Sequence, residues 1–113
     1  MANLLEQTIQ ALNNHNKDAS DIRYVSNGEV YMTWAEAEPI FKGIEYDDGY
    51  GGAEIDMDLV VVGKYWWLER HEYDGSEWWE YKTLPTIPIH NKRFNPYISA
   101  YGSKEDSYNV ENL

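Results

Sequence analysis

Cysteine is absent from this chain. That excludes a disulfide framework, a thiol nucleophile and thiolate zinc sites, and it fits a reducing cytosol. Long apolar runs are also absent. The longest, Leu59 to Gly63, is far short of a membrane span, and no signal-peptide or transit-peptide pattern is visible. A serine elbow, a glycine-rich phosphate loop and a paired-histidine metal motif are missing too. Basic residues are scarce: 9 Lys+Arg stand against 20 Asp+Glu, for a net charge of −11. The imbalance sits in residues 1–84, with 17 acidic and 6 basic side chains, while residues 85–113 carry 3 of each. Such a field repels phosphates, so direct binding to nucleic acid or to an anionic membrane is not expected, and a basic protein partner is. Solubility alone is the plainer reading of the same charge.

What is present is aromatic. Of 113 residues, 15% are Phe, Trp or Tyr and 42% are hydrophobic, enough for one small domain with a core. Four of the five tryptophans fall in VVVGKYWWLERHEYDGSEWWEYKTL, residues 60–84. Asp74-Gly75 between two apolar, aromatic runs is a strong hairpin signal. Charge argues its register. A two-residue loop sets Glu72 opposite Glu77 and Glu69 opposite Glu80, and like charges directly opposite are unfavourable. A four-residue loop, Asp74 to Glu77, pairs Tyr73 with Trp78, His71 with Glu80 and Glu69 with Lys82, and is preferred. Arg70 then lies beside Tyr81 and near Trp79, within reach of a cation–π contact. One face carries Trp67, Glu69, His71, Tyr73, Trp78, Glu80 and Lys82. The other carries Trp66, Leu68, Arg70, Glu72, Trp79, Tyr81 and Thr83. Each turns from aromatic to charged toward the loop, which places the open end in the core and the turn end in water.

The rest of the chain supplies partners for this hairpin. Ala2 to Asn14 has Leu4, Leu5, Ile9 and Leu12 at helical spacing and packs on a sheet. Ile22 to Met32 reads as a first hairpin with a type I′ turn at Asn27-Gly28. Thr33 and Glu36 form a capping box for a helix over Trp34 to Lys42, closed by Gly43. Pro39 kinks that helix or marks its start. EYDDGYGGAEIDMD, residues 45–58, has six carboxylates, three glycines and no basic residue, and forms an exposed loop. Ile55 and Met57 begin a strand that continues into a central one through Val62. From Pro85 the chain reads as an extended Pro-containing arm, with Ile87, Ile89, Phe94, Tyr97 and Ile98 available to dock it, and then as a flexible tail. The expected fold is α+β, an antiparallel sheet of about five strands from two hairpins plus a central strand, with both helices on one face. Residues 1–84 form the domain and residues 85–113 the arm and tail.

Three chemistries are open to these residues. Asp47, Asp48, Glu54, Asp56 and Asp58 are hard oxygen ligands, but their spacing does not match the twelve-residue calcium loop, so neither metal nor cofactor is expected. Glu69, His71 and Glu80 beside Trp67 and Trp78 suggest acid–base work, since a carboxylate against tryptophan can have a raised pKa. Cross-strand Glu–Lys and His–Glu pairs are also ordinary sheet pairing. Exposed aromatics and arginine are, third, the residue types that dominate protein interfaces.

The runs EYDDGYGGAEI, LVVVG and WWLERHEYDGSEWWEYK resemble a group of small proteins encoded by phages and prophages of Gram-positive bacteria. The resemblance covers residues 1–84. Small acidic phage proteins include many inhibitors of host systems, anti-CRISPR proteins among them. The resemblance implies the cytoplasm of a bacterial host and a non-enzymatic inhibitor of a basic nucleic-acid-handling protein such as a Cas nuclease. The acidic loop (Asp47, Asp48, Glu54, Asp56, Asp58) would imitate phosphates, while Trp67, Arg70, His71, Trp78 and Glu80 anchor the contact. The chain would be a monomer or weak homodimer. A self-associating phage structural module and a small hydrolase built on Glu69, His71 and Glu80 are the alternatives.

Overall fold

Val60–Val62 is the middle strand of a five-stranded antiparallel sheet, and the chain is assembled around it. The computed structural model describes residues 1–110. In order, the elements are β1 (Ala2–Asn3), α1 (Leu4–Asn13), β2 (Tyr24–Ser26), β3 (Tyr31–Met32), α2 (Trp34–Lys42), β4 (Glu45–Tyr46), β5 (Val60–Val62), β6 (Trp66–Tyr73), β7 (Ser76–Thr83) and α3 (Lys104–Ser107). The sheet order is β3-β2-β5-β6-β7, and β1 pairs with β4 in a separate two-stranded sheet. No helix among the described residues is long and apolar enough to cross a membrane.

One face of the sheet is the core. Val25, Val61 and Leu68 lie side by side on β2, β5 and β6, all fully buried. Above them pack Leu4, Thr8 and Leu12, a single stripe of α1 at a spacing of four. Ala37 and Phe41 of α2 join them, with Tyr46, Leu59 and Trp66. Thr8 is the one polar side chain in the α1 stripe. Its hydroxyl donates to the Leu4 carbonyl at 2.7 Å and accepts from the Trp79 indole at 3.0 Å, so the hydroxyl is satisfied both as donor and as acceptor. The α+β architecture, the five strands and the two helices on one face are those expected from the sequence.

The hairpin register is corrected. β6 and β7 pair through a two-residue loop, setting Tyr73 opposite Ser76, His71 opposite Trp78, Glu72 opposite Glu77 and Glu69 opposite Glu80. Asp74 at φ 50° and Gly75 at φ 86° supply the two positive dihedrals of a type I′ turn, and that local preference decides the pairing. The opposed carboxylates are relieved individually. Glu77 turns inward to Arg70, while His71 and Lys82 sit against Glu80. A slip of two residues leaves each side chain on its expected face, so only the partners change. The expected gradient along the hairpin is also replaced. Burial divides by face: Trp66, Leu68, Arg70 and Glu77 are buried, including the two nearest the turn.

Other segments depart from expectation in smaller ways. The first hairpin closes over four residues, 27–30, with only Gly28 at positive φ. Asn27 holds it by accepting from the Glu29 and Val30 amides. The helix α2 runs through Pro39, whose missing N–H leaves the Ala35 carbonyl without its intrahelical donor. Residues 55–58 are not a strand, because Ile55 is drawn into the core while Asp56 and Asp58 form a tight turn. The arm does not dock. Ile87, Ile89, Phe94, Tyr97 and Ile98 are exposed, and no described residue beyond Tyr81 joins the core cluster. Within the tail, Ser103 and Asp106 cap the short helix α3. Residues 111–113 of the expected flexible tail lie outside the described residues. The described chain is consequently long, 59 × 32 × 27 Å, with a radius of gyration of 19.2 Å where a compact chain of this size has about 13 Å.

Candidate interaction surface

A buried ion pair fixes the acidic loop. Arg70 Nη2 donates to Glu77 Oε1 at 2.9 Å, and both side chains are closed to solvent. The Glu77 carboxylate also accepts two backbone amides of the loop, Glu54 at 2.6 Å and Ile55 at 3.2 Å. The Glu77 amide in turn donates to the Asp48 carbonyl at 2.8 Å. Tyr46 lies in the same network. Arg70 donates to its hydroxyl at 3.3 Å, and that hydroxyl donates to Gln7. Burial pushes the Tyr46 hydroxyl pKa up, against the opposing pull of Arg70, which keeps it a neutral donor. Gln7 then donates to Asp48 at 2.7 Å. Arg70 Nε and Nη1 have no hydrogen-bond partner among the described residues, but Cζ lies 4.7 Å from the Trp79 ring centroid, directly across the strand pair. A desolvated cation over an indole face is a favourable contact.

The consequence is an acidic surface on a fixed backbone. Asp47, Glu54, Asp56 and Asp58 are exposed, and none is in an ion pair among the described residues. Among the described residues their carboxylates accept only from nearby backbone amides, such as Glu54 from Asp47 and Asp56 from Asp58. Asp48 differs, being half-buried and held by Gln7. The loop tip reaches the hairpin turn. A Cβ on Gly75 would lie 3.1 Å from the Gly51 carbonyl oxygen, so glycine is needed there for close approach as well as for its φ.

The outer hairpin face holds the other expected residues. Trp67 donates its indole N–H to Glu69 at 2.7 Å, and Trp78 donates to Glu80 at 3.1 Å. His71 stands between the two carboxylates, 2.6 Å from Glu69 and 3.4 Å from Glu80. This overturns the expected raised pKa. The Trp67 indole, and then His71, hold the Glu69 carboxyl below the ordinary glutamate range, and the Trp78 indole does the same for Glu80. Neither is suited to donate a proton as a general acid near neutral pH. Because both are more acidic in the folded chain, they favour folding above the ordinary glutamate pKa. That contribution is lost as pH falls through their lower folded values. Carboxyl titration by NMR is expected to place both midpoints below the ordinary value. Trp78→Phe, which removes only the indole donor, is expected to return Glu80 toward it while leaving Glu69 in place.

Of the residues singled out in the sequence, the structure brings Trp67, His71, Trp78 and Glu80 together on one open face. It places Asp47, Glu54, Asp56 and Asp58 on the clamped loop. Arg70 is corrected: it is 4% exposed and faces the core, so it cannot anchor an outside partner. Glu77, Gln7 and Tyr46 were not singled out, and they position the loop. The signal for Glu77 is its parity, since it shares the core-facing side of β7 with Trp79 and Tyr81. Among the described residues, no group of three or more His, Asp or Glu is arranged to hold a metal ion. The chain matches no protein-family model, no curated protein and no solved structure.

Proposed function

We propose that this chain is a non-enzymatic binding protein that inhibits a basic, nucleic-acid-handling protein by occupying its phosphate-binding surface. The observation that carries the reading is the clamped loop. Exposed carboxylates at Asp47, Glu54, Asp56 and Asp58 have no ion-pair partner among the described residues, and their backbone is held by a buried Arg70–Glu77 pair. A fixed array of unpaired anions has the electrostatic character of a phosphate backbone and is ordered before binding, which lowers the entropy cost of association. The net charge of −11 adds steering toward a basic surface. The resemblance to phage and prophage proteins supplies the class of target, a host nuclease or another DNA- or RNA-binding protein, CRISPR–Cas nucleases included.

The test starts from a pull-down on bacterial lysate and continues with the target it identifies. The full chain is expected to displace DNA or RNA from that target in a fluorescence anisotropy competition, and to lose affinity as salt rises. Replacing Asp47, Asp56 and Asp58 together by asparagine removes three exposed charges at roughly 0.5–1 kcal/mol each, so affinity is expected to fall by about tenfold to a hundredfold. The salt dependence should flatten with it. A triple variant that competes as well as the parent sinks the mimicry reading.

A further inference from the structure

The open edge of the sheet and the undocked arm are complementary to each other. β7 is an edge strand. Its even-numbered residues bond toward β6, as Leu84 continues to do with the Tyr65 carbonyl, so the odd-numbered ones point outward. Glu77 is closed off by Asp48. The amides of Trp79, Tyr81 and Thr83 have no partner among the described residues, and a cavity of about 190 Å³ between this edge and α1 is lined by Gln10, Asn14, Trp78 and Trp79. Unpaired edge groups are a template for another extended segment.

The arm offers such a segment. Ile87 and Ile89 are 91% and 95% exposed, and residues 85–104 carry Lys92, Arg93 and Lys104 with no carboxylate at all. That composition is opposite in charge to the rest of the chain. When Ile87, Ile89 and Asn91 turn their backbone groups to the edge, Pro88, which has no N–H to give, faces away, the orientation an edge strand tolerates. An antiparallel register with Ile89 opposite Tyr81 meets this requirement. It sets Ile87 against Thr83 and Asn91 against Trp79, beside the polar Gln10 and Asn14. On the outer face it sets His90 opposite Glu80 and Lys92 opposite Trp78. Lys92, now 4.5 Å from the Tyr108 ring, exchanges one aromatic for another.

The arm cannot reach this register in its own chain without strain. Leu84-Pro85-Thr86 would be a three-residue hairpin loop, whose last position takes a left-handed conformation that β-branched Thr86 resists. We propose that residues 87–91 of one copy form the sixth strand on β7 of a second copy, giving a reciprocal arm-exchanged homodimer with residues 84–86 crossing between the two.

Two proteins with one cysteine each, Glu80→Cys and His90→Cys, test this directly, because the native chain has no thiol of its own. Mixed and oxidised under mild conditions, they are expected to give a disulfide-linked heterodimer as the major product, with far less homodimer from either alone. No heterodimer in excess of those controls overturns the proposal. Ring closure within one chain of the double variant, in place of cross-linking between chains, overturns it too. Light scattering gives the second readout. The parent is expected to dimerise with concentration, and Ile87→Asp with Ile89→Asp to remain monomeric while keeping the parent's circular dichroism spectrum, since both side chains are exposed. A variant that dimerises like the parent shows that any dimer uses another surface.

Discussion

Replacing Glu77 by alanine is expected to cost about 3–5 kcal/mol, the loss typical when one partner of a buried ion pair is removed and the other charge is left in the core. A domain of this kind has roughly 5–15 kcal/mol in total, so the variant should unfold at much lower urea or be partly unfolded in water. Among the described residues, Arg70 is paired with one carboxylate, Glu77. Its Nη2 would keep only the Tyr46 hydroxyl, and Nε and Nη1 already lack partners among the described residues. The amides of Glu54 and Ile55 lose their acceptor in the same change, so hydrogen exchange there should accelerate beyond the global effect. Glu72 gives the contrast. It lies directly opposite Glu77 but is exposed, and Glu72→Ala should stay within about 0.5 kcal/mol of the parent. In a double-mutant cycle, Arg70→Ala with Glu77→Ala should cost much less than the sum of the two singles. A Glu77→Ala cost no larger than that of Glu72→Ala would mean that the pair does not hold the loop.

The same residue marks where sequence reasoning stopped. The ends of helix α2 were legible, because Thr33, Glu36 and Gly43 are local signals read within one turn, while its course through Pro39 was left open between a kink and a later start. The central position of β5 was legible from three consecutive valines, which suit a strand covered on both edges. Face membership along β6 and β7 was legible because alternation survives a slip of two residues. The pairing partners were not, since an argument from like charges assumes that opposed side chains stay opposite each other. Glu77 and Glu72 do not. One turns to Arg70 and the other to water, and that choice depends on Tyr46 and residues 54–55, which only the tertiary fold brings near. The carboxylates of the loop were legible as a group from composition. Their fixed backbone was not, because its clamps are Gln7, from α1, and Glu77, from β7, on either side of the loop in sequence. The indole–carboxylate bonds on the outer face were missed for a different reason. A tryptophan beside a glutamate was read as an apolar wall, when its N–H is a donor two residues along the same strand.

Gly63→Ala should destabilise the fold by about 3 kcal/mol, at the upper end of what overpacking a core costs. A Cβ at this position would lie 2.0 Å from Trp66 Cε2 and 2.2 Å from Cζ2 and Nε1, far inside van der Waals contact. The backbone has little room to yield. The Gly63 amide donates to the Trp66 carbonyl at 2.9 Å, and Tyr65 between them already holds φ at 67° to make the turn. The ring must therefore move. Trp66 is 3% exposed, belongs to the core cluster and stacks on Tyr81 at 5.8 Å, and Tyr81 also stacks with His15 at 4.0 Å. Swinging it out breaks that stack and opens a space beside Leu68. Urea denaturation separates this account from a general loss of backbone freedom. Trp66→Leu removes the ring atoms that meet the new methyl, so Gly63→Ala in that background should be close to neutral or stabilising by up to about 1 kcal/mol, the ordinary conformational effect of alanine for glycine where φ is not positive. Equal costs in the two backgrounds would show that the glycine is required by its own backbone and not by the indole lying across it.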